Sequence, residues 1–144
     1  MKLSDIQALW QEDSVIDKQH LDDELLKISK LHAKYHEIYT FERLKLKQYE
    51  ADLKVLKQEK YEFYVEGPTK ETLERGWKMP ARGKILKADV AQYLDSDRDL
   101  IDQSLKIGMQ NEKVGLLDSI IKMLMQRHWG IKSSIDYIKF CSGM

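Results

Sequence analysis

The 144 residues include only one cysteine, two prolines and seven glycines, the types that staple, break or turn a chain. Cys141 has no intrachain partner for a disulfide, which fits a reducing compartment. So few turn-formers suit long helices better than a turn-rich β-sandwich. Net charge is missing too: 24 Lys and Arg balance 24 Asp and Glu, so any attraction to nucleic acid must come from a local patch. No run approaches the roughly 20 apolar residues that span a bilayer. The opening MKLSDIQALWQEDS is too acidic, and its apolar run too short, for a secretory signal. Chemistry is equally hard to place. Gly67-Pro-Thr-Lys lacks the spacing and preceding strand of a phosphate loop, and His36-Glu-Ile-Tyr-Thr lacks the second histidine of a zinc protease. His32 and His36 share a helical face, but one cysteine and no second cluster make a metal site improbable. No nucleophile–base–acid set can be assembled. The expectation is a soluble intracellular protein with no metal, no cofactor and no enzymatic activity.

Charge and helical periodicity are what the chain has instead. Charged residues make up 33% of it, a composition suited to exposed helices. Ser4 and Gln7 read as a capping box for a short first helix bearing Leu3, Ile6, Leu9 and Trp10. Asp17 reads as the cap of the next, which meets no glycine or proline before Gly67. Its three-four spacing runs from Leu21 through Tyr35, Leu46 and Leu53 to Phe63, with polar residues at His32, Glu42 and Lys60. Unbroken, that helix would be about 65–70 Å long; a bend near residues 32–42 fits the weakened pattern equally well. Gly67-Pro68 stops it. Residues 67–88 should be mostly loop, with a short helix from Thr69 to Arg75. Asp95-Ser96-Asp97 interrupts or caps the entry to a last helix reaching Phe140. The reading is all-α, with long helices packed like a coiled coil. It divides into an amino-terminal helical region (1–66), a basic loop or linker (67–88) and carboxy-terminal helices (89–144).

That last helix carries Val114, Leu117, Ile121, Leu124, Ile131, Ile135 and Ile138 in a 3.5-residue repeat, the signature of a stripe facing a partner helix. His128 holds one position of the series. Leu116, Ile120, Met123 and Met125 make a second side apolar. A helix apolar on two sides wants partners on two sides, and a chain of few helices should cover only one. Val114, Leu117, Ile120, Ile121, Leu124, Ile131, Ile135 and Ile138 are therefore expected at a subunit interface. A monomeric antiparallel hairpin of the two long segments fits that pattern less well.

Between Lys54 and Lys87, nine cations face five acids. Lys54, Lys57, Lys60, Lys78, Arg82 and Lys84 alternate with Tyr61, Phe63, Tyr64 and Trp77. Cations can neutralise phosphates while aromatic faces accept unpaired bases, at roughly 1–3 kcal/mol per base. Lys57, Lys60 and Tyr64 fall on one side of a helix, with Lys54 and Tyr61 close by. The plainer alternative is a solvated face with i,i+4 charge pairs. A structural coiled-coil or phage scaffold protein would use the same heptads without needing these cations.

Two stretches carry a likeness. The first is Lys57-Gln-Glu-Lys-Tyr-Glu-Phe-Tyr-Val-Glu-Gly67. The second begins Tyr93-Leu-Asp-Ser-Asp-Arg-Asp-Leu100 and continues through Lys106, Ile120-Ile121-Lys122, Arg127 and Ile131-Lys132 to Lys139-Phe-Cys-Ser-Gly143. In order and spacing they resemble the UvsY family, the recombination mediators of tailed phages; Asp5-Ile6-Gln7 and Val15-Ile16-Asp17 are similar as well. The resemblance implies a non-enzymatic factor, without cofactor, acting in the cytoplasm of an infected bacterial host. It would bind single-stranded DNA and help a RecA-like phage recombinase displace the single-strand-binding protein. It further implies a closed homo-oligomeric ring, a hexamer or heptamer, assembled through the carboxy-terminal region. Lys57 and Lys60 match the family's basic DNA-contacting segment in position, although Gln58 and Glu59 between them lower the local charge.

Overall fold

A computed structural model describes residues 1–143. It contains five helices: α1 (Leu3–Asp13), α2 (Leu21–Glu66), α3 (Lys70–Glu74), α4 (Val90–Asp95) and α5 (Arg98–Cys141). α2 is one unbroken helix of 46 residues, so the polar positions near its middle do not interrupt it. α5 likewise runs 44 residues through Gly108, Gly115 and Gly130. Packing divides the chain into two compact units, residues 1–44 with 110–144, and residues 45–109. Both boundaries fall inside the long helices.

In the first unit, α1 starts one residue before Ser4. The Lys2 backbone N–H donates to the Asp5 carboxylate at 3.0 Å, so Asp5 rather than Gln7 serves the entry. Asp17 does not cap α2. It closes the preceding turn, accepting from the Gln19 N–H at 2.9 Å and contacting His20 Nδ1 at 2.7 Å, and α2 begins at Leu21. These bonds, the Gln19 N–H foremost, hold the Asp17 carboxyl below its ordinary range, and the Asp17 partner raises His20.

Ile6 of α1, Tyr35 of α2 and Leu117, Ile120, Ile121 and Leu124 of α5 form one buried cluster, with Leu9, Trp10, Leu31 and Ile38 packed around it. Leu117 and Leu124 are fully buried. This corrects the expectation that they face another subunit. α1 supplies a second cover for α5 beside α2, so the chain itself buries Leu117, Ile120, Ile121 and Leu124 and half-buries Leu116, while Met123 and Met125 of the second strip stand exposed. Ile131 is buried as well, Val114 and Ile135 are half-buried, and only Ile138 of the expected interface stands exposed. Arg127 fixes α1 in place, donating to the Ser14 carbonyl at 3.1 Å and lying 5.2 Å over Trp10. Asp13 joins α1 to α2 by accepting from Lys34 at 2.6 Å and from the Tyr35 hydroxyl at 2.8 Å. At Glu42 the polar interruption of the heptad is fully buried, and Gln110 of α5 donates to its carboxylate at 2.5 Å and its carbonyl at 2.8 Å.

The second unit gathers the rest of α2, the short helices and the start of α5. Phe63, Tyr64, Trp77, Ile85 and Val90 form its core. Gly67 ends α2 at φ +96°, and Gly76 ends α3 at φ +77°. After α3 the Trp77 N–H bonds the Thr72 carbonyl and the Gly76 N–H that of Leu73, both at 3.0 Å. This is a Schellman cap, and it turns Trp77 into the core. The Ile85 N–H then donates to the Tyr64 carbonyl at 2.9 Å, folding the loop back along the end of α2.

Candidate nucleic-acid interface

The lysines and aromatics of the basic segment separate sharply. Lys60 is buried, 4% exposed. Its ammonium lies 2.7 Å from Asp99, 3.2 Å from Asp97 and 3.9 Å from the centre of the Trp77 ring. The Tyr64 hydroxyl donates to the same Asp97 carboxylate at 2.6 Å, and Asp97 also caps α5 by accepting from the Leu100 N–H at 3.1 Å. Burial would raise the Asp97 carboxyl, but the bonds from Tyr64, Leu100 and Lys60 outweigh it and hold the group below the usual carboxylate range. Burial, then the bond to Asp97, pushes the Tyr64 hydroxyl well above its ordinary value. Phe63 and Trp77 pack edge to face at 5.5 Å inside the core. Lys60, Tyr64, Phe63 and Trp77 thus present no open face to a strand. They lock the end of α2 to the start of α5.

The outward face of α2 is different. Lys54 and Lys57 are exposed and Tyr61 is half-buried beside them. Lys47, which the sequence reading passed over, belongs to the same line. Lys47, Lys54, Lys57 and Tyr61 follow one another at steps of seven, three and four, spanning about 21 Å of helix. Glu50 is the one acid on that side. Among the described residues none of these three lysines has an ion pair. Asp52, Glu59, Glu62 and Glu66 repeat the same steps five residues later, about 140° around the helix. These acids are largely engaged: Gln48 donates to Asp52 at 2.9 Å, Gln58 to Glu62 at 3.2 Å, and Arg75 pairs with Glu59. The seven-three-four spacing that separates the two signs is present in the sequence itself.

Lys78, Arg82 and Lys84 are all exposed on the folded-back loop. Lys84 rests its stem on Gly67, where a Cβ would come within 3.0 Å of its Cε. Gly67 therefore answers both a left-handed backbone and the approach of this lysine. On α5, Lys106 is exposed and lies 4.3 Å over the Tyr49 ring, while Gln103 donates to the Tyr49 carbonyl at 2.9 Å. No histidine, cysteine or acid cluster of three or more among the described residues is placed to hold a metal ion; His32 and His36 simply stack at 5.8 Å. No helix among these residues is long and apolar enough to cross a membrane.

No protein of curated function matches this sequence. The structure, however, superposes on crystal structures of the bacteriophage T4 recombination mediator protein UvsY in several lattices. One aligns with a TM-score of 0.80 at 19% identity, covering 99% of this chain and 98% of that one. Another gives 0.80 at 18% identity over 94% and 98%, and a third 0.78 at 18% over 97% and 98%. Likeness at this identity establishes the all-α fold. The sequence itself matches the family model described as recombination, repair and ssDNA binding protein UvsY over residues 9–144. An unpaired cationic line on an outward helix face therefore sits in a chain that belongs to the UvsY family.

Proposed function

We propose that the protein is a non-enzymatic recombination mediator that grips single-stranded DNA on the outward face of α2 and promotes loading of a RecA-like phage recombinase onto strands covered by single-strand-binding protein. The observation that carries this reading is the line Lys47, Lys54, Lys57 and Tyr61. Its lysines are free of ion pairs, and half-buried Tyr61, packed against the core of the second unit, ends the line. Lys78, Arg82 and Lys84 extend the contact along the folded-back loop; Lys60 and Tyr64 organise it from within.

A few phosphate contacts bind weakly and depend strongly on salt, with a slope of roughly −0.7 per phosphate on single strands. Repeating the line in a homo-oligomer, a hexamer or heptamer, makes later contacts intramolecular, and avidity then rises by about 10²–10⁴. Burial of Leu117 and Leu124 leaves the distal part of α5 to supply the self-association surface. Trp129, Tyr137, Ile138 and Phe140 are all exposed there. The decisive assay is recombinase filament assembly on single-stranded DNA precoated with single-strand-binding protein. Addition of the protein should shorten the lag, and the Lys54→Ala/Lys57→Ala variant should not. Acceleration by that variant equal to wild type would refute the assignment of the DNA face.

A further inference from the structure

Beside Lys57, the second unit leaves a cleft of about 270 Å³ where α2, the end of α4 and the first turns of α5 meet. Leu53, Leu100 and Leu105 give it aliphatic walls, and three polar side chains reach it: Lys57, Asp95 and Ser104. None of these three side chains has a hydrogen bond or ion pair among the described residues. The cleft thus opens directly off the cationic line. It combines what an extruded base needs: apolar contact for its faces and free polar groups for its edge.

We propose that this cleft is a nucleobase subsite that accepts one unstacked base of a bound single strand and favours amino-bearing bases over thymine. The proposal rests on the reading of Lys54 and Lys57 as phosphate contacts. Charge sets the orientation of the nucleotide. Lys57 attracts the phosphate and Asp95 repels it, so the base rather than the backbone turns inward. The edge chemistry sets the preference. A carboxylate only accepts hydrogen bonds, whereas a serine hydroxyl does both. The cytosine or adenine amino group donates to Asp95 while the neighbouring ring nitrogen accepts from Ser104, and guanine offers Asp95 two donors. Thymine flanks its single N–H with two carbonyl oxygens, which face the carboxylate unfavourably.

Fluorescence anisotropy with equal-length oligo-dC, oligo-dT and an abasic strand tests this on the full-length protein. The wild type should bind oligo-dC on the order of three- to tenfold tighter than oligo-dT, and the abasic strand weakest of all. Asp95→Asn should keep binding but lose the dC-to-dT ratio. Ser104→Phe, which puts a bulky ring in the lining of the cleft, should reduce oligo-dC to the level of the abasic strand. Equal affinity for all three strands, or an unchanged ratio in Asp95→Asn, overturns the subsite while leaving the phosphate face intact. A Ser104→Phe protein that changes its sedimentation without DNA would assign the cleft to a protein contact and overturn the proposal too. Wild-type affinity for every strand in Lys54→Ala/Lys57→Ala would instead strike the underlying DNA reading.

Discussion

Lys60 offers the sharpest test of how this segment divides between scaffold and ligand contact. The substitution Lys60→Met keeps the alkyl stem and removes the charge. In the protein that charge sits between Asp97 and Asp99 and above the Trp77 ring. Removing one partner of a buried ion pair costs about 3–5 kcal/mol. Asp99 is half-exposed and can be rehydrated, which places the expected loss near the lower end, about 3 kcal/mol. Asp97 retains only Tyr64 and the Leu100 N–H. For a chain of this size that loss lowers Tm by about 10 °C. Urea denaturation measures the stability, and a salt titration of single-strand affinity, run cold enough to keep the variant folded, measures the DNA term. A phosphate-contacting lysine would do the opposite, leaving the midpoint unmoved and reducing the salt slope by roughly 0.7. Wild-type stability with a reduced slope would refute the structural role. Adding Asp97→Asn to Lys60→Met should recover part of the loss, because the stranded carboxylate is gone.

Lys54→Ala/Lys57→Ala should show the converse behaviour: a salt slope reduced by roughly 1.4 and stability within about 0.5 kcal/mol of wild type. Leu117→Asp should unfold the chain, since a carboxylate at a fully buried leucine site costs at least about 4 kcal/mol. Phe140→Asp, at an exposed site, should instead lower the mass seen by sedimentation velocity while the far-ultraviolet circular dichroism stays unchanged. The depressed Asp97 carboxyl gives stability that is complete above its ordinary value of 3.8 and is lost as pH falls through its lower folded value. Across that window the unfolded chain binds more protons, so Asp97→Asn should flatten the acid limb of a stability–pH profile.

Much of the fold can be read from residue spacing. The stop of α2 at Gly67, the short helix after Thr69 and the break at Asp95–Asp97 all follow from periodicity and breakers, whereas the continuity of α2 through residues 32–42 does not. Burial is harder to read, because it depends on what lies opposite. Glu24, Glu42 and Lys60 lie eighteen residues apart, five helical turns, and all three are buried on α2. A polar residue in a heptad series looks like an interruption until its partner is known: Gln110 for Glu42, Asp97 and Asp99 for Lys60. Tyr64 lies two turns from Lys57 on nearly the same side of the helix; what buries it is the cluster with Trp77, Ile85 and Val90 and its bond to Asp97, none of which the spacing shows. For α5 the apolar repeat is plain in the sequence, but the elements that cover it are not. Ile6, Leu9 and Trp10 of the 11-residue α1 pack into the same cluster, a cover that the repeat of α5 does not announce.

The opposed charge lines on α2 make that helix a one-sided rail. A polyanion drawn to the lysines meets a fence of carboxylates if it wanders around the cylinder, so it stays on a single track. Because the whole polypeptide is electrically balanced, no long-range field adds to these local contacts, and a competitor that takes over the phosphates can lift the strand away.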